Sequence, residues 1–139
     1  MGRILAIDYG KRRTGLAVTD PLRITANPLL TVETATLPDW LDQYFAANEI
    51  DQVVIGYPTQ MNGQESDSMQ YIRPFMDLFH RRWPQMPLIQ YDERFTSTLA
   101  HRAMIEGGMP RLKRRDKAVV DRLAATIILE GYLDSLSNP

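Results

Sequence analysis

Three carboxylates stand at positions where a carboxylate is costly or conspicuous. Asp8 ends the apolar run Ile4-Leu5-Ala6-Ile7 and is followed two residues later by Gly10. Glu93 follows a second strand-like stretch, in Tyr91-Asp92-Glu93-Arg94. Asp121 lies beside the apolar stripe of Val120, Ala124 and Ile128, with the small pair Ala124-Ala125 one turn on. An ionised carboxylate at the end of a buried strand loses solvation unless it meets a cation or hydrogen-bond donors. Gathered together, the three would form an oxygen cage for a hard cation, Mg2+ or Mn2+. Phosphodiester hydrolysis suits such a cage, since a bound cation activates water and stabilises the leaving oxygen. Each residue also has a purely structural reading. Asp8 would organise a Gly-containing turn, Glu93 would pair with Arg94, and Asp121 would be a favourable acid in a first helical turn.

Two basic clusters flank these acids. Lys11, Arg12 and Arg13 follow Asp8 directly; Arg111, Lys113, Arg114, Arg115 and Lys117 precede Asp121, and Arg94 follows Glu93. Such clusters are often only solvated loops, but beside a phosphodiester site they read as contacts to a phosphate backbone. Contacts of that kind supply affinity and salt dependence, not sequence choice. The net charge of −1, from 16 Lys+Arg and 17 Asp+Glu, exerts no global pull on nucleic acid, so binding rests on these patches. There is no cysteine, which excludes disulfides, thiolate metal sites and Cys/His catalysis. The two histidines, His80 and His101, are too few for a His-rich zinc site.

The elements that must position the acids follow from apolar patterning. The 139 residues, 44% hydrophobic, suit one domain, residues 1–139, with its own core. Ile4–Ile7 and Gly15–Thr19 predict two strands joined by the turn 10–14, too short for a parallel crossover. A third strand is expected within Ile24–Val32, at an edge because of Pro28. Thr36 should cap a first helix, with Pro38 in its first turn and Asp39 completing a capping box. Val53–Ile55 predicts the fourth strand. Met69, Ile72, Met76 and Phe79 mark a second helix, with Pro74 predicting a kink or a late start. Leu88–Tyr91 is the fifth strand. A third helix is expected from Thr96 or Ser97 to Glu106, closed by Gly107-Gly108. A last helix should run from about Ala118 to Leu136, with Val120, Leu123, Ala124, Ile127 and Ile128 inward. The expectation is therefore an α/β domain of ribonuclease H-like type. Its sheet is five-stranded and mixed, with the first three strands antiparallel, the fourth and fifth parallel to the first, and helices on both faces. No apolar run is long enough for a membrane span and none resembles a signal peptide, which predicts a cytoplasmic protein with no membrane partner.

Ile7-Asp8-Tyr9-Gly10 with Gly15-Leu16-Ala17-Val18, Gly56-Tyr57-Pro58 with Asn62-Gly63, Asp92-Glu93-Arg94-Phe95-Thr96-Ser97, and Val120-Asp121 with Ala124-Ala125 and Ile128-Leu129 form an ordered set across nearly the whole chain. In this order they resemble the YqgF/RuvX family. That family comprises small bacterial ribonuclease H-fold proteins, labelled Holliday junction resolvases and linked to 5′-end maturation of 16S ribosomal RNA. The resemblance implies Asp8, Glu93 and Asp121 as the acidic active-site positions. It also implies a metal-dependent nuclease whose partner is nucleic acid, precursor ribosomal RNA first and branched DNA second, with ribosomal particles and a monomeric or homodimeric state open. Many ribonuclease H-fold relatives carry four acidic ligands, one at or near the fourth strand, where this chain has Gly56-Tyr57-Pro58. Asp92 is the available fourth, but it alternates to the opposite face from Glu93 if the strand continues. Two readings of other classes stand beside this one. Asp8-x-Gly10 followed by Gly15 is similar to the phosphate loop of actin-like ATPases, which pair two such domains where this chain has one. A non-catalytic RNA-binding assembly factor would keep the same fold.

Overall fold

Apolar residues at 4–7, 15–18 and 53–55 build the middle of one five-stranded sheet in the computed structural model, which describes residues 2–57, 69–92 and 117–137, leaving out the side chains of 117–122 and 137. The elements run β1 (Arg3–Asp8), β2 (Arg13–Thr19), β3 (Ala26–Glu33), a 3-10 turn (Thr34–Thr36), α1 (Leu37–Ala47), β4 (Ile50–Tyr57), α2 (Met69–Arg82), β5 (Leu88–Asp92) and α3 (Lys117–Ser137). The strand order is β3-β2-β1-β4-β5. β1 pairs antiparallel with β2 and parallel with β4, β2 antiparallel with β3, and β4 parallel with β5. This is the mixed sheet that the sequence predicts. Pro28 lies on the edge strand β3, and the register slips there: Leu16 pairs with Leu30, but Ala17 pairs with Pro28. The extra residue bends the edge at the position where proline cannot donate.

Alternation along β1 sends its side chains to two different cores. Leu5 and Ile7 join Leu37 and Leu41 of α1 and Ile72, Phe75 and Phe79 of α2. Ile4 and Ala6 join Ala17, Val54 and, from α3, Ala125, Ile128 and Leu129. Helices therefore cover both faces, as predicted.

Three local expectations differ. Thr36 precedes α1 but is itself helical, at φ −95° and ψ −4°, and makes no capping bond. Its hydroxyl donates to the Glu33 carbonyl at 2.8 Å, because a 3-10 turn already occupies the helix entrance. Asp39 instead accepts from Arg82, which also pairs with Asp42, tying α1 to α2. Helix α2 passes through Pro74 as one helix, Met69–Arg82. On α3 the buried residues are Ala124, Ala125, Thr126, Ile128 and Leu129, while Leu123 and Ile127 are only half-buried. The third helix expected near 96–106 lies outside the described residues.

The β2–β3 turn is organised by Asp20, whose carboxylate accepts from the backbone N–H groups of Thr25 (2.7 Å), Ile24 (2.8 Å) and Leu22 (3.1 Å). These donors hold the Asp20 carboxyl below its ordinary value, the Thr25 amide contributing most. A depressed folded-state pKa means that the turn is fully supported above the ordinary carboxylate value, near pH 4. The support is lost as pH falls through the lower folded value. Protection of the Ile24 and Thr25 amides, taken relative to their intrinsic exchange rate at each pH, should therefore fall on acidification below about pH 4. In Asp20→Ala that protection should already be low at neutral pH, with no such acid step.

Candidate active site

Asp8 is the last residue of β1, the central strand, and is half-buried. By alternation it lies on the face of Ile4 and Ala6, the face covered by α3. Its partner across β2 is Gly15, and the next residue of β4 in register is Gly56, so neither neighbour has a side chain to fill the space beside it. Asp8 also makes contacts of its own within the fold.

The chain leaves Asp8 through a turn that only glycine can form. A Cβ at Gly10 would sit 2.2 Å from the Arg13 carbonyl oxygen. Thr34, just past β3, clamps this turn. Its hydroxyl donates to the Gly10 carbonyl at 2.7 Å and lies 2.9 Å from the buried Thr14 hydroxyl, while its N–H donates to the Arg12 carbonyl at 2.9 Å. The clamp fixes the basic turn against Asp8, with Lys11 and Arg12 exposed and Arg13 half-buried. Nothing local in the sequence signals Thr14 and Thr34 as a hydroxyl pair twenty residues apart.

Helix α3 runs opposite to β1. Near its C-terminal end Tyr132 donates from its hydroxyl to Gln52 at 2.7 Å, and Gln52 pairs with Ile4 at the start of β1. Leu133 and Asp134 share a cleft with Thr25 and Ala26, at the start of β3. Position 121 lies eleven residues earlier, about 16 Å along the helix. Ile4 to Asp8 spans about 13 Å of strand. The backbone at 121 is thus at the Asp8 end of the sheet, one turn before the buried Ala125. The helix comes close enough because small residues line the contact: Ala6, Ala17, Ala124 and Ala125 are all buried. At Gly131 a Cβ would meet the Tyr91 hydroxyl at 2.4 Å.

Glu93 lies just beyond the described residues, after β5. Ile89 and Tyr91 pack on the α3 face and Leu88 on the other, so Asp92, exposed at the end of β5, belongs to the face opposite Asp8. That weighs against Asp92 as a ligand beside Asp8. Arg94, Arg111, Lys113, Arg114 and Arg115 also lie outside the described residues, and Lys117 opens α3. Among the described residues, no group of three His, Cys, Asp or Glu side chains forms a metal cluster. No helix among them is long and apolar enough to cross a membrane.

On the other face, at the same end of the sheet, Tyr9 stacks on Phe75 with ring centroids 4.5 Å apart and lies 6.1 Å from Tyr71. Burial, and secondarily Tyr71, raises the Tyr9 hydroxyl above its ordinary value, so it remains a neutral donor.

Comparison with known proteins matches residues 2–135 to the family model RuvX, described as Holliday junction resolvase. A protein of Porphyromonas gingivalis is 53% identical over 135 residues, covering 97% of this chain and 98% of its own; one of Phocaeicola vulgatus is 50% identical, covering 97% of each. Both carry the name "Putative pre-16S rRNA nuclease". Among solved structures, Thermus thermophilus RuvC in complex with a Holliday junction substrate superposes with a TM-score of 0.57 at 15% identity, over 99% of this chain and 98% of that one. At that identity the likeness is one of fold.

Proposed function

The chain belongs to the RuvX family, and from that membership we propose that it is a metal-dependent nuclease that hydrolyses phosphodiester bonds during 5′-end maturation of precursor 16S ribosomal RNA. The observation that carries this reading is agreement between relatives about half identical over almost the full chain, which carry that nuclease name, and a carboxylate at the end of the central strand.

In this reading Asp8, Glu93 and Asp121 hold Mg2+ or Mn2+. The donor set fits: three carboxylates offer only hard oxygen ligands, and the glycines beside Asp8 leave room for a cation and its waters. A bound divalent cation supplies the charge that activates water and stabilises the departing oxygen. Water attacks phosphorus, the phosphorus–oxygen ester bond breaks, and one product retains the phosphate while the other leaves with a hydroxyl. Lys11, Arg12 and Arg13, with Arg94 and the basic segment 111–117, hold the phosphate backbone in this reading. The reading places the protein in the cytoplasm, with its substrate presented as free precursor RNA or within a ribosomal particle.

The family description favours a second substrate, the four-way DNA junction. One experiment separates the two. A labelled precursor 16S fragment and a synthetic four-way junction are each incubated with the protein in Mg2+, Mn2+ or EDTA. Metal-dependent cutting of the RNA, with the junction intact, is expected. Symmetric junction cutting with intact RNA would replace the first substrate by the second. No cutting of either, with RNA still bound, would favour a non-catalytic assembly factor.

A further inference from the structure

Tyr71, Phe75 and Phe79 on α2, and Trp83 just past its end, recur every four residues and form one aromatic ridge. Phe75 and Phe79 are buried, at 4% and 0% exposure, and packing accounts for them. Trp83 ends the ridge at the far pole, where its ring meets Phe45 and its N–H donates to Asp42 at 2.9 Å. The opposite end is different. There Tyr71 is half-buried and, with Tyr9, Thr34, Gln70, Phe75 and Arg81, lines a cleft of about 450 Å3. That volume lies in the range of small-ligand sites. Among the described residues that line it there is no carboxylate, whereas there is a guanidinium and a carboxamide. Tyr9 is the residue after Asp8, and the wall formed by Thr34 is the clamp that holds the basic turn.

We propose that this cleft receives an unpaired nucleobase of the strand being cut, stacked against Tyr71 and Tyr9. A strand crossing the end of the sheet from the α3 side to the α2 side would set a phosphate at Asp8. Its neighbouring base would then lie over the aromatic wall. Unpaired bases are recognised by stacking on aromatic rings and hydrogen bonds to their edges. Gln70 and the Tyr9 hydroxyl supply edge partners, and Arg81 supplies a cation for the adjoining phosphate. The inference rests on the reading of the Asp8 strand end as the place where nucleic acid is cut. It adds that the cleaved segment must be single-stranded beside the cut.

The test measures binding, not cleavage. Full-length protein carrying Asp8→Asn, to stop turnover, is titrated with a ten-nucleotide single-stranded RNA containing 2-aminopurine and with an abasic sugar–phosphate chain of the same length. The expected result is quenched 2-aminopurine fluorescence and clearly weaker binding of the abasic chain. Adding Tyr71→Leu should cut RNA affinity roughly 5- to 100-fold and abolish the quenching, while leaving abasic binding unchanged; Tyr71→Phe should retain both. A cleft that only shields the core would lower the thermal midpoint in Tyr71→Leu without altering discrimination between the two chains, and that result would overturn the proposal. So would equal binding of both chains by the Tyr71-containing protein, a comparison needing no further variant. If the wild type cuts no substrate yet shows this base-dependent binding, the nuclease reading fails and the base site stands.

Discussion

Asp8→Asn is expected to lower cleavage by at least about 10³-fold, a loss of about 4 kcal/mol of transition-state stabilisation, while the protein folds and binds RNA as before. The substitution keeps the shape of the side chain and replaces a charged oxygen donor by a neutral amide. In the proposed site that removes a ligand from the cation on which the reaction depends. Folding should be spared. Asp8 lies at the end of a strand beside Gly15, and neither hydrophobic core includes it. RNA affinity should be unchanged or slightly higher, because a negative charge facing phosphate is removed. The checks are single-turnover cleavage of the precursor fragment, thermal melting, and binding with metal present. An Asp8→Asn protein that cuts at close to the wild-type rate would sink the carboxylate mechanism, whatever the substrate.

The reason Asp8 could be found from sequence is that it interrupts a pattern. Four apolar residues predict a buried strand, and β1 is that strand, so the carboxylate at its end has to be accommodated. An interruption of the same kind, Pro28, marks β3 as an edge, while the helices between the later strands predict the parallel placement of β4 and β5. Patterning fails where it does not discriminate. From Val119 to Leu129 nearly every residue of α3 is apolar or small, so several stripes fit equally. The inner face falls on Ala125 and Leu129 instead of Leu123 and Ile127 because alanines let the helix sit closest to the sheet. Thr36 departs from the expected cap for a different reason. Its hydroxyl had a nearer partner in Glu33, and the 3-10 turn that offers it carries no signature of its own. The sequence carries no binding signal at Tyr9 or Tyr71, because an aromatic residue at strand or helix spacing reads as core. Only the tertiary fold leaves one end of that ridge facing a cleft.

The alanines of α3 therefore connect packing to chemistry, and Ala125→Leu should expose the connection. Ala125 is fully buried against the sheet in the cluster with Ala6, Ala17 and Val54. A leucine there adds volume at a fully buried position, which costs about 1–3 kcal/mol and several degrees of thermal midpoint. The helix has to move away from β1 and β2 to relieve the clash. Position 121 lies one turn toward the strand ends, so the proposed ligand moves with it. A displacement of about 1 Å at a reacting centre can cost 10²-fold in rate. Cleavage by Ala125→Leu should accordingly fall by about that factor at a temperature where the protein is still folded. The control is Leu41→Ala, on α1 and fully buried in the opposite core. It should be at least as destabilising, at about 2–5 kcal/mol, yet at the same folded temperature and with saturating RNA retain most of the cleavage rate, because it loosens the face opposite Asp8. If the two variants lose activity in proportion to their melting temperatures, the approach of α3 matters only for stability. Asp121 would then have to be reassigned to a structural role at the start of its helix.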